Sequence, residues 1–564
     1  MPALSKNIQH LHPEVLVTIF SLLSYCDILR CQRVCRHFRD VFNASALLRY
    51  LVELEICGYE DLPAKTLLGY VERSQCLQDY HATWKTPNPR FSKSTSLDYS
   101  PFNDTEERQF KFRFKLHDDV LVASTERHGD NSPPHYTKSF DCMRVFQFSA
   151  VGRDERNFTH VFDMAYDAFQ FDPIQDLLIV GYLEHGELFT SEGCTILKPL
   201  SLRSGAVHPE ASTPEICLPI LSTTFIKMEI CGDFIATKLV GALSKVLMIN
   251  WKDGSFCVLE PPPSPETHGV VDFLFLSEIF LVTVMTRRHG QGHVLVIYSA
   301  AEGSWSGRIQ SAIFHLPEHA TSGAIVDIDE TVLQTSLDRS LRGDEGSPPA
   351  FRPSSLSADI LCLRRTTVIR DLDNAEDDPE DWDLETIRHT AVMFVPAMLG
   401  LMNSAIQNTE DNTPPEFHWF AWGPSCSRWF RELSILDPLG ANIPLYGYHI
   451  ICRHGVLDFN PVDIARDMGR TQERTDSASQ ADRSTSGSLS QHEFVTEATT
   501  VPGEEIFAYD VTTTLPFRVV PFKTVPDIPG ISCISSPNAS PAIVQWQMGV
   551  GDSGKPSQMH FLTF

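Results

Sequence analysis

The sequence predicts an α+β multidomain chain: a small three-helix module at the N-terminus, a linking helix, and a large all-β remainder. Three observations carry that prediction. Residues 11–40, LHPEVLVTIFSLLSYCDILRCQRVCRHFRD, hold two apolar stripes at helical spacing. From about residue 108 the pattern changes to short runs rich in β-branched and aromatic residues. The chain has 564 residues, too many for one compact core, and should divide into units of roughly 100 to 250 residues.

Composition bounds the partners. A formal net charge of −26 makes the surface potential negative, which repels phosphate backbones, so nucleic acid is excluded as a general partner. No stretch approaches eighteen uninterrupted apolar residues, and MPALSKNIQH has neither a hydrophobic signal region nor a transit character. The expectation is a cytoplasmic or nuclear protein without a membrane partner. Its 14 cysteines are scattered without a CxxC pair and read as small buried hydrophobes of a reducing compartment. The sequons at Asn43, Asn103, Asn157 and Asn538 then carry no weight.

The first helix should start at Pro13, whose fixed φ suits the first turn, with Glu14 facing the positive end of the helix dipole. Leu16, Ile19, Phe20 and Leu23 follow at i, i+3, i+4 and i+7 as one apolar face. Asp27 is a good N-cap for a second helix carrying Cys31, Val34, Cys35, Phe38 and Phe42 at the same spacing. Ser45 caps a third, with Leu47, Leu48, Leu51 and Leu54 inward. About forty residues are at the margin of independent stability, so part of this apolar surface needs an outside cover.

Leu11, Pro13-Glu14, Leu16, Ile19-Phe20, Leu22-Leu23, Asp27, Leu29, Val34-Cys35-Arg36 and Phe38 resemble the F-box, the helical module that docks onto the small Skp-type adaptor of cullin-based ubiquitin ligases. The resemblance covers roughly residues 8–50. His12 stands where the family usually has its first proline, and Phe38 and Leu48 fall at or near common tryptophans. The resemblance implies an adaptor-binding set of Leu11, Pro13, Glu14, Leu16, Ile19, Phe20, Leu23 and Leu29, each apolar anchor contributing about 1.5–3 kcal/mol if fully desolvated. Cys31, Val34, Cys35 and Phe38 would then hold the F-box core together.

Residues 51–85 should supply linking helices, with Leu67, Tyr70, Val71, Leu77, Tyr80 and Trp84 aligned on one side over 64–85. Turn formers mark 86–107 as a linker. A β-rich domain follows over 108–335, 358–465 and 493–564, with runs such as DDVLVAS, DLLIVG, KVLMINW, IFLVTV and HVLVIY. Polar insertions at 336–357 and 466–492 are too poor in apolar residues to offset their ordering entropy and should be a flexible and a disordered segment.

Two stretches of the β-rich region overlay: GDFIAT and KVLMINWKDG beside SEIFLVTV and GHVLVIYSAAEG. Asp233 matches Glu278, Trp251 matches Tyr298 and Gly254 matches Gly303, a drifting period near 45 that four-stranded propeller blades produce. The expectation is an irregular β-propeller; two unrelated β-sandwiches would also account for the strands, and no WD or kelch signature decides between them.

Four chemical motifs fall short of a site. Gly551-Asp552-Ser553-Gly554-Lys555-Pro556 looks like the nucleophile loop of trypsin-type proteases, but Lys555 replaces a glycine and only eight residues follow Pro556. A hairpin turn is the better reading. The acidic run from Asp371 to Glu385 has Glu376 where a calcium loop needs glycine and Pro379 within it. Cys31, Cys35 and His37 place both thiols on the apolar stripe, which favours packing over a metal. His289-Gly-Gln-Gly-His293 lacks the Lys-Ser/Thr of a phosphate loop and sits between strands. No catalytic residue, metal or cofactor is therefore assigned.

The resemblance implies a non-catalytic substrate-recognition subunit of a ubiquitin ligase, with a Skp-type adaptor, a cullin held through it, and an unidentified protein substrate as partners. A non-degradative scaffold is the alternative, and a hydrolase using Ser553 a weaker one.

Overall fold

The structure is a computed structural model that describes residues 11–61, 68–87, 90–96, 111–117, 120–126, 140–147, 156–184, 194–218, 227–239, 245–262, 267–287, 292–300, 304–305, 307, 309–320, 325–335, 351–353, 360–370, 384–408, 413–431, 445–452, 455–478, 493–503, 506–522, 534–536, 542–548 and 556–563. Its N-terminal part is helical: α1 (Pro13–Phe20), α2 (Tyr25–Val34), α3 (Arg36–Ala44) and α4 (Ala46–Cys57). Pro13 opens α1 with Glu14 in its first turn, as the sequence indicates. The second stripe departs from expectation because it is two helices. Cys35 adopts an extended conformation, φ −154° and ψ 167°, and breaks the run between Val34 and Arg36. The cap of α2 is Ser24, whose hydroxyl accepts from the Asp27 amide at 3.3 Å, so Asp27 lies inside the first turn. Ser45 does cap α4, accepting from the Leu48 amide at 3.3 Å, and Gly58 ends it at φ +79°, a conformation that favours glycine.

Helix α5 (Tyr70–Lys85) follows, starting later than the sequence suggests, with Glu72 accepting from the Gly69 amide at 2.8 Å. Leu67 lies outside the described residues. The inner face is Arg73, Leu77 and Trp84, while Val71 is exposed. Arg73 is admitted because Asp61 accepts two hydrogen bonds from its Nη1, at 2.8 and 3.0 Å.

Among the described residues, seven antiparallel sheets of four or five strands succeed one another, the fourth adding one short parallel strand. The first comprises Lys111–His117, Val120–Glu126, Phe140–Gln147 and Arg156–Tyr166; the second Ala168–Asp172, Leu177–Glu184, Cys194–Ser201 and Ile216–Leu218. The third is Met228–Cys231, Phe234–Leu239, Lys245–Asn250 and Phe256–Leu259, and the fourth is built on Thr267–Phe275, Phe280–Arg287, His293–Ala300 and Ile309–His315. The fifth pairs Ile325–Thr335, Ile360–Arg370, Leu384–Phe394 and Ser427–Arg431. The sixth contains Leu445–Tyr446, His449–Cys452, Gly455–Asp458, Phe517–Pro521 and Glu493–Val495.

Neighbouring sheets share cores in chain order. Ile179 and Leu197 of the second sheet pack with Ile235 and Leu247 of the third. Val246 and Val296 join the third to the fourth, Leu295 and Leu363 the fourth to the fifth, and Cys362 and Leu457 the fifth to the sixth. The seventh sheet is assembled from both ends of the chain: Arg90–Ser96 pairs with Pro556–Thr563, beside Ala542–Met548 and Ile534–Ser536. It meets the first sheet through Ile534–Ser536 and Lys111–His117. The β-rich part also holds α6 (Val395–Asn408) and α7 (Trp419–Cys426), whose apolar residues fill the core between the fourth and fifth sheets.

Several boundaries shift. The expected linker 86–107 contains the strand Arg90–Ser96. Residues 466–478, expected to be disordered, belong to α8 (Pro461–Ala478), and the remainder of that insertion lies outside the described residues. In the other insertion, Phe351–Pro353 pairs with Tyr59–Asp61 just after the N-terminal helices.

The repeat is real, but its register differs from the sequence overlay. Trp251 Nε1 donates to the Gly232 carbonyl at 3.1 Å, and Trp305 Nε1 donates to the Glu278 carbonyl at 2.9 Å. The counterpart of Trp251 is thus Trp305, beyond the third strand of the next sheet, and not Tyr298 within it. In the second sheet His208 Nε2 meets the Gln175 carbonyl at 2.9 Å in the same way. Each ring ties the end of a third strand to the turn between the first and second.

Candidate functional site

The N-terminal helices carry apolar residues on two sides. Leu16 is 0% exposed and Phe20 2%, and with Ile28, Phe38, Val41, Phe42, Leu48 and Val52 they form the module's own core. Phe20 and Phe38 meet edge to face, centroids 5.2 Å apart. Leu16 and Phe20 are therefore interior residues, not surface anchors. The i, i+3, i+4, i+7 grouping mixes environments: Leu16 and Phe20 are buried, Ile19 packs at the edge of the same core, and Leu23, beyond the end of α1, is exposed.

Of the remaining expected anchors, Pro13, Glu14 and Leu23 are exposed, and Leu11, Ile19 and Leu29 are half-buried. Leu22 is 83% exposed and Val34, at the end of α2, is 64% exposed. Val34 thus leaves the set assigned to the F-box core, in which Phe38 is buried and Cys31 and Cys35 pack at the edge. The reason is the break at Cys35, which removes Val34 from the helical register of Phe38. Four large apolar side chains of this module, Val15, Leu22, Leu23 and Val34, face solvent, as a surface built to be covered requires.

A second arrangement fixes this module to the sheets. Asn460 Oδ1 accepts from the amides of Val462 and Asp463, both at 3.1 Å, capping α8. Its Nδ2 donates to the Ile56 carbonyl at 2.8 Å, one of the last carbonyls of α4. One side chain thereby satisfies the start of one helix and the end of another. Val462 packs against the F-box core, and Arg466 on α8 reaches Glu53 on α4.

Beneath α8 lies a charge network. Asp463, wholly buried, takes His81 Nε2 at 3.1 Å and Lys85 Nζ at 3.2 Å from α5, and Arg518 Nη2 at 3.0 Å from the sixth sheet. Arg518 also donates to Asp458 and, at 2.7 Å, to Asp467. Burial alone would raise the Asp463 carboxyl, but His81, Lys85 and Arg518 hold it far below the usual carboxylate range. Burial pushes the nearby Cys57 thiol up to about 12, with Glu53 and Asp463 adding to the shift, so it is inert as a nucleophile. Trp84 completes the joint by stacking on His449, centroids 4.3 Å apart. Sequence alone misses this joint because PVDIARD reads as part of the strand and loop around it, although Asn460-Pro461 is a helix-start signal.

Ser553 and its neighbours, residues 371–383, and residues 289–291 lie outside the described residues. The strands flanking Ser553 are antiparallel, Met548 opposite Pro556. No group of three or more metal-ligating side chains occurs among the described residues, Cys31, Cys35 and His37 included. None of the described helices is long and apolar enough to cross a membrane.

Residues 8–53 match the family described as F-box-like. The N-terminal helices are thus an F-box-like domain, joined to a mostly-β remainder. Domains of this class bind Skp-type adaptors of ubiquitin ligases. No curated protein matches the chain. Similar solved structures include prolyl oligopeptidase B from Galerina marginata bound to a 35mer hydrolysis and macrocyclization substrate, 9% identical, covering 51% of this chain and 44% of that one with a TM-score of 0.20. Its apo protein is 8% identical over 55% and 46% of the two chains, also with a TM-score of 0.20. The chain spans less than half the length of that enzyme, and a TM-score this low carries no argument about fold or chemistry.

Proposed function

We propose that this chain is the substrate-recognition subunit of a cullin-type ubiquitin ligase. In this reading the exposed side of α1 and the ends of α1 and α2 bind a Skp-type adaptor, with Pro13, Val15, Ile19, Leu22, Leu23 and Val34 as contacts. The seven sheets form a closed propeller whose loops hold a protein target, and the chain performs no chemistry itself. Catalysis is proximity: a target lysine held near the thioester gains effective concentration, and that gain depends on a stiff connection. The observation that carries the reading is the joint at Asp463. It fastens adaptor-binding module, linking helix and sixth sheet to one another, where a flexible tether would need no buried charges. A cytoplasmic or nuclear site fits this role.

Affinity purification of the intact chain tests it. Recovery of adaptor together with cullin supports the proposal, adaptor without cullin indicates a non-degradative scaffold, and neither overturns it. Hydrolase activity lost in Ser553→Ala would favour the remaining reading. Proximity labelling with and without residues 8–53, under proteasome inhibition, would identify the target.

A further inference from the structure

Helix α7 turns two of its aromatic side chains inward and one outward. Trp419 is 3% exposed and Trp422 0%, whereas Phe420 is 70% exposed, more than any other phenylalanine, tyrosine or tryptophan among the described residues. Burying such a ring is favourable, so a rigidly held ring left in water marks a surface that something covers. Phe420 is held in this way. Its helix is pinned by Trp422 Nε1, which donates to the His315 carbonyl at 3.2 Å. Tyr509 lies against one side of the Phe420 ring, centroids 4.8 Å apart.

Tyr509 belongs to the loop joining Thr499–Val501 to Val511–Thr513, and that loop is itself fixed. The Ala508 amide donates to the Glu318 carbonyl at 2.9 Å, and the Ala320 amide donates to the Ile506 carbonyl at 2.8 Å. Asp510 Oδ1 accepts from the Gly503 amide at 2.9 Å. A Cβ at Gly503 would lie 2.4 Å from the Tyr509 carbonyl carbon, so glycine is needed for this close approach. The aromatic pair is thus preorganised, and a partner need not order it on binding.

Acidic side chains surround the pair. Glu318 is 54% exposed, and its charge, after burial, raises the Tyr509 phenol. Asp510 is exposed beside Tyr509. Glu416, 42% exposed, meets His315 Nε2 at 3.2 Å, and the His315 ring stacks on His418 immediately before α7. Burial lowers His315, so at neutral pH it does not cancel the Glu416 charge. Arg287 is already engaged by Glu318 at 3.0 Å.

The position also fits a partner. His315 ends the fourth strand of the fourth sheet and Arg287 the second, whereas α8 follows the third strand of the sixth sheet. Adjacent strands are antiparallel, so in the closed propeller of the proposed function this patch faces away from the F-box-like domain. Resting on that reading, we propose that Phe420 and Tyr509, ringed by Glu318, Glu416 and Asp510, hold a basic segment of the protein target. An arginine or lysine side chain lies over the open side of the Phe420 ring, whose face attracts a cation. An acidic or phosphorylated segment would meet like charge.

Fluorescence anisotropy with the full chain tests this, using as probes a short labelled peptide of alternating arginine and serine and its glutamate–serine counterpart. At physiological ionic strength the arginine peptide should bind saturably and the glutamate peptide should not. Phe420→Ser should weaken arginine-peptide binding by about fivefold or more, and Phe420→Trp should retain it. Both substitutions keep the net charge, and the ring already faces solvent. Equal binding by wild type and Phe420→Ser would assign the binding to net charge alone and overturn the site. No binding of the arginine peptide, or a preference for the glutamate peptide, overturns it as well. A dimer in sedimentation velocity that Phe420→Ser dissociates would give the patch to a second copy and also overturn it. Adaptor recovery reports separately on the ligase reading: adaptor retained with no peptide bound overturns this site alone, and adaptor lost with peptide bound overturns that reading alone.

Discussion

Arg466 Nη1 on α8 donates to both carboxylate oxygens of Glu53 on α4, each at 2.9 Å, across 413 positions of sequence. This partly exposed pair is the outer edge of the joint whose buried centre is Asp463. The two layers should differ sharply in energy, since exposed ion pairs contribute about 0–1 kcal/mol whereas removing one partner of a buried network costs about 3–5 kcal/mol.

Asp463→Asn is therefore expected to destabilise the chain by about 3–5 kcal/mol, because Arg518 and Lys85 lose their shared carboxylate inside the protein. Glu53→Gln should cost about 1 kcal/mol or less. Urea denaturation compares the two, and hydrogen exchange should show α4, α5 and α8 loosening in Asp463→Asn. Equal effects of the two substitutions would contradict a buried centre and an outer edge.

On the F-box-like domain, Leu22→Asp with Val34→Asp should abolish adaptor capture while leaving circular dichroism and unfolding unchanged, since both side chains already face solvent. Leu16→Asp should instead unfold the module, because it places a carboxylate at a fully buried position. Undiminished capture by the exposed pair would remove α1 and α2 from the contact surface.

The chain-end pairing makes a separate prediction about the sheets. Ending the chain at Met548 deletes Pro556–Thr563, which lies between Arg90–Ser96 and Ala542–Met548. If the sheets close on themselves, both edges of that gap become unpaired and the whole β-rich part should lose stability, not only its last sheet. Limited proteolysis should then cut within the first sheet as well as near residue 548; cleavage confined to the C-terminus would argue for an open array.

How much of this is legible in the sequence follows from the range of the forces involved. The strands KVLMINW and HVLVIY, the Pro13 helix start and the Ser45 cap are written in local residue preference, and the structure places all of them as read. The failures are of another kind. Leu16 and Leu23 sit seven residues apart at helical spacing, and nothing local says that one is buried and the other, past the end of α1, exposed. Val34 and Phe38 keep helical spacing, but one extended residue at Cys35 puts them on different helices. Trp251 and Trp305 are equivalent only through the carbonyls they reach. Nothing local marks Asp463 as buried, because His81, Lys85 and Arg518 reach it from remote parts of the chain.

The buried histidines set the pH dependence. Desolvation, reinforced by the Arg365 charge, lowers His293 to about 3, His319 to about 2 and His389 to about 4, with His293 also acting on His319 and Arg431 on His389. In the unfolded chain each should titrate near 6.5. Below that value the unfolded state binds more protons than the native state, so stability rises with pH and is lost as pH falls from about 6.5 toward the folded values. At pH 5.5 each histidine should remove about 1.4 kcal/mol, roughly 4 kcal/mol together. Asp463 opposes nothing in this window, because its carboxyl is held far below it. Urea unfolding at pH 7.5 and 5.5 measures the loss, and His389→Phe should reduce it by about a third. A wild-type stability unchanged between these pH values would mean that the three rings are not buried in neutral form.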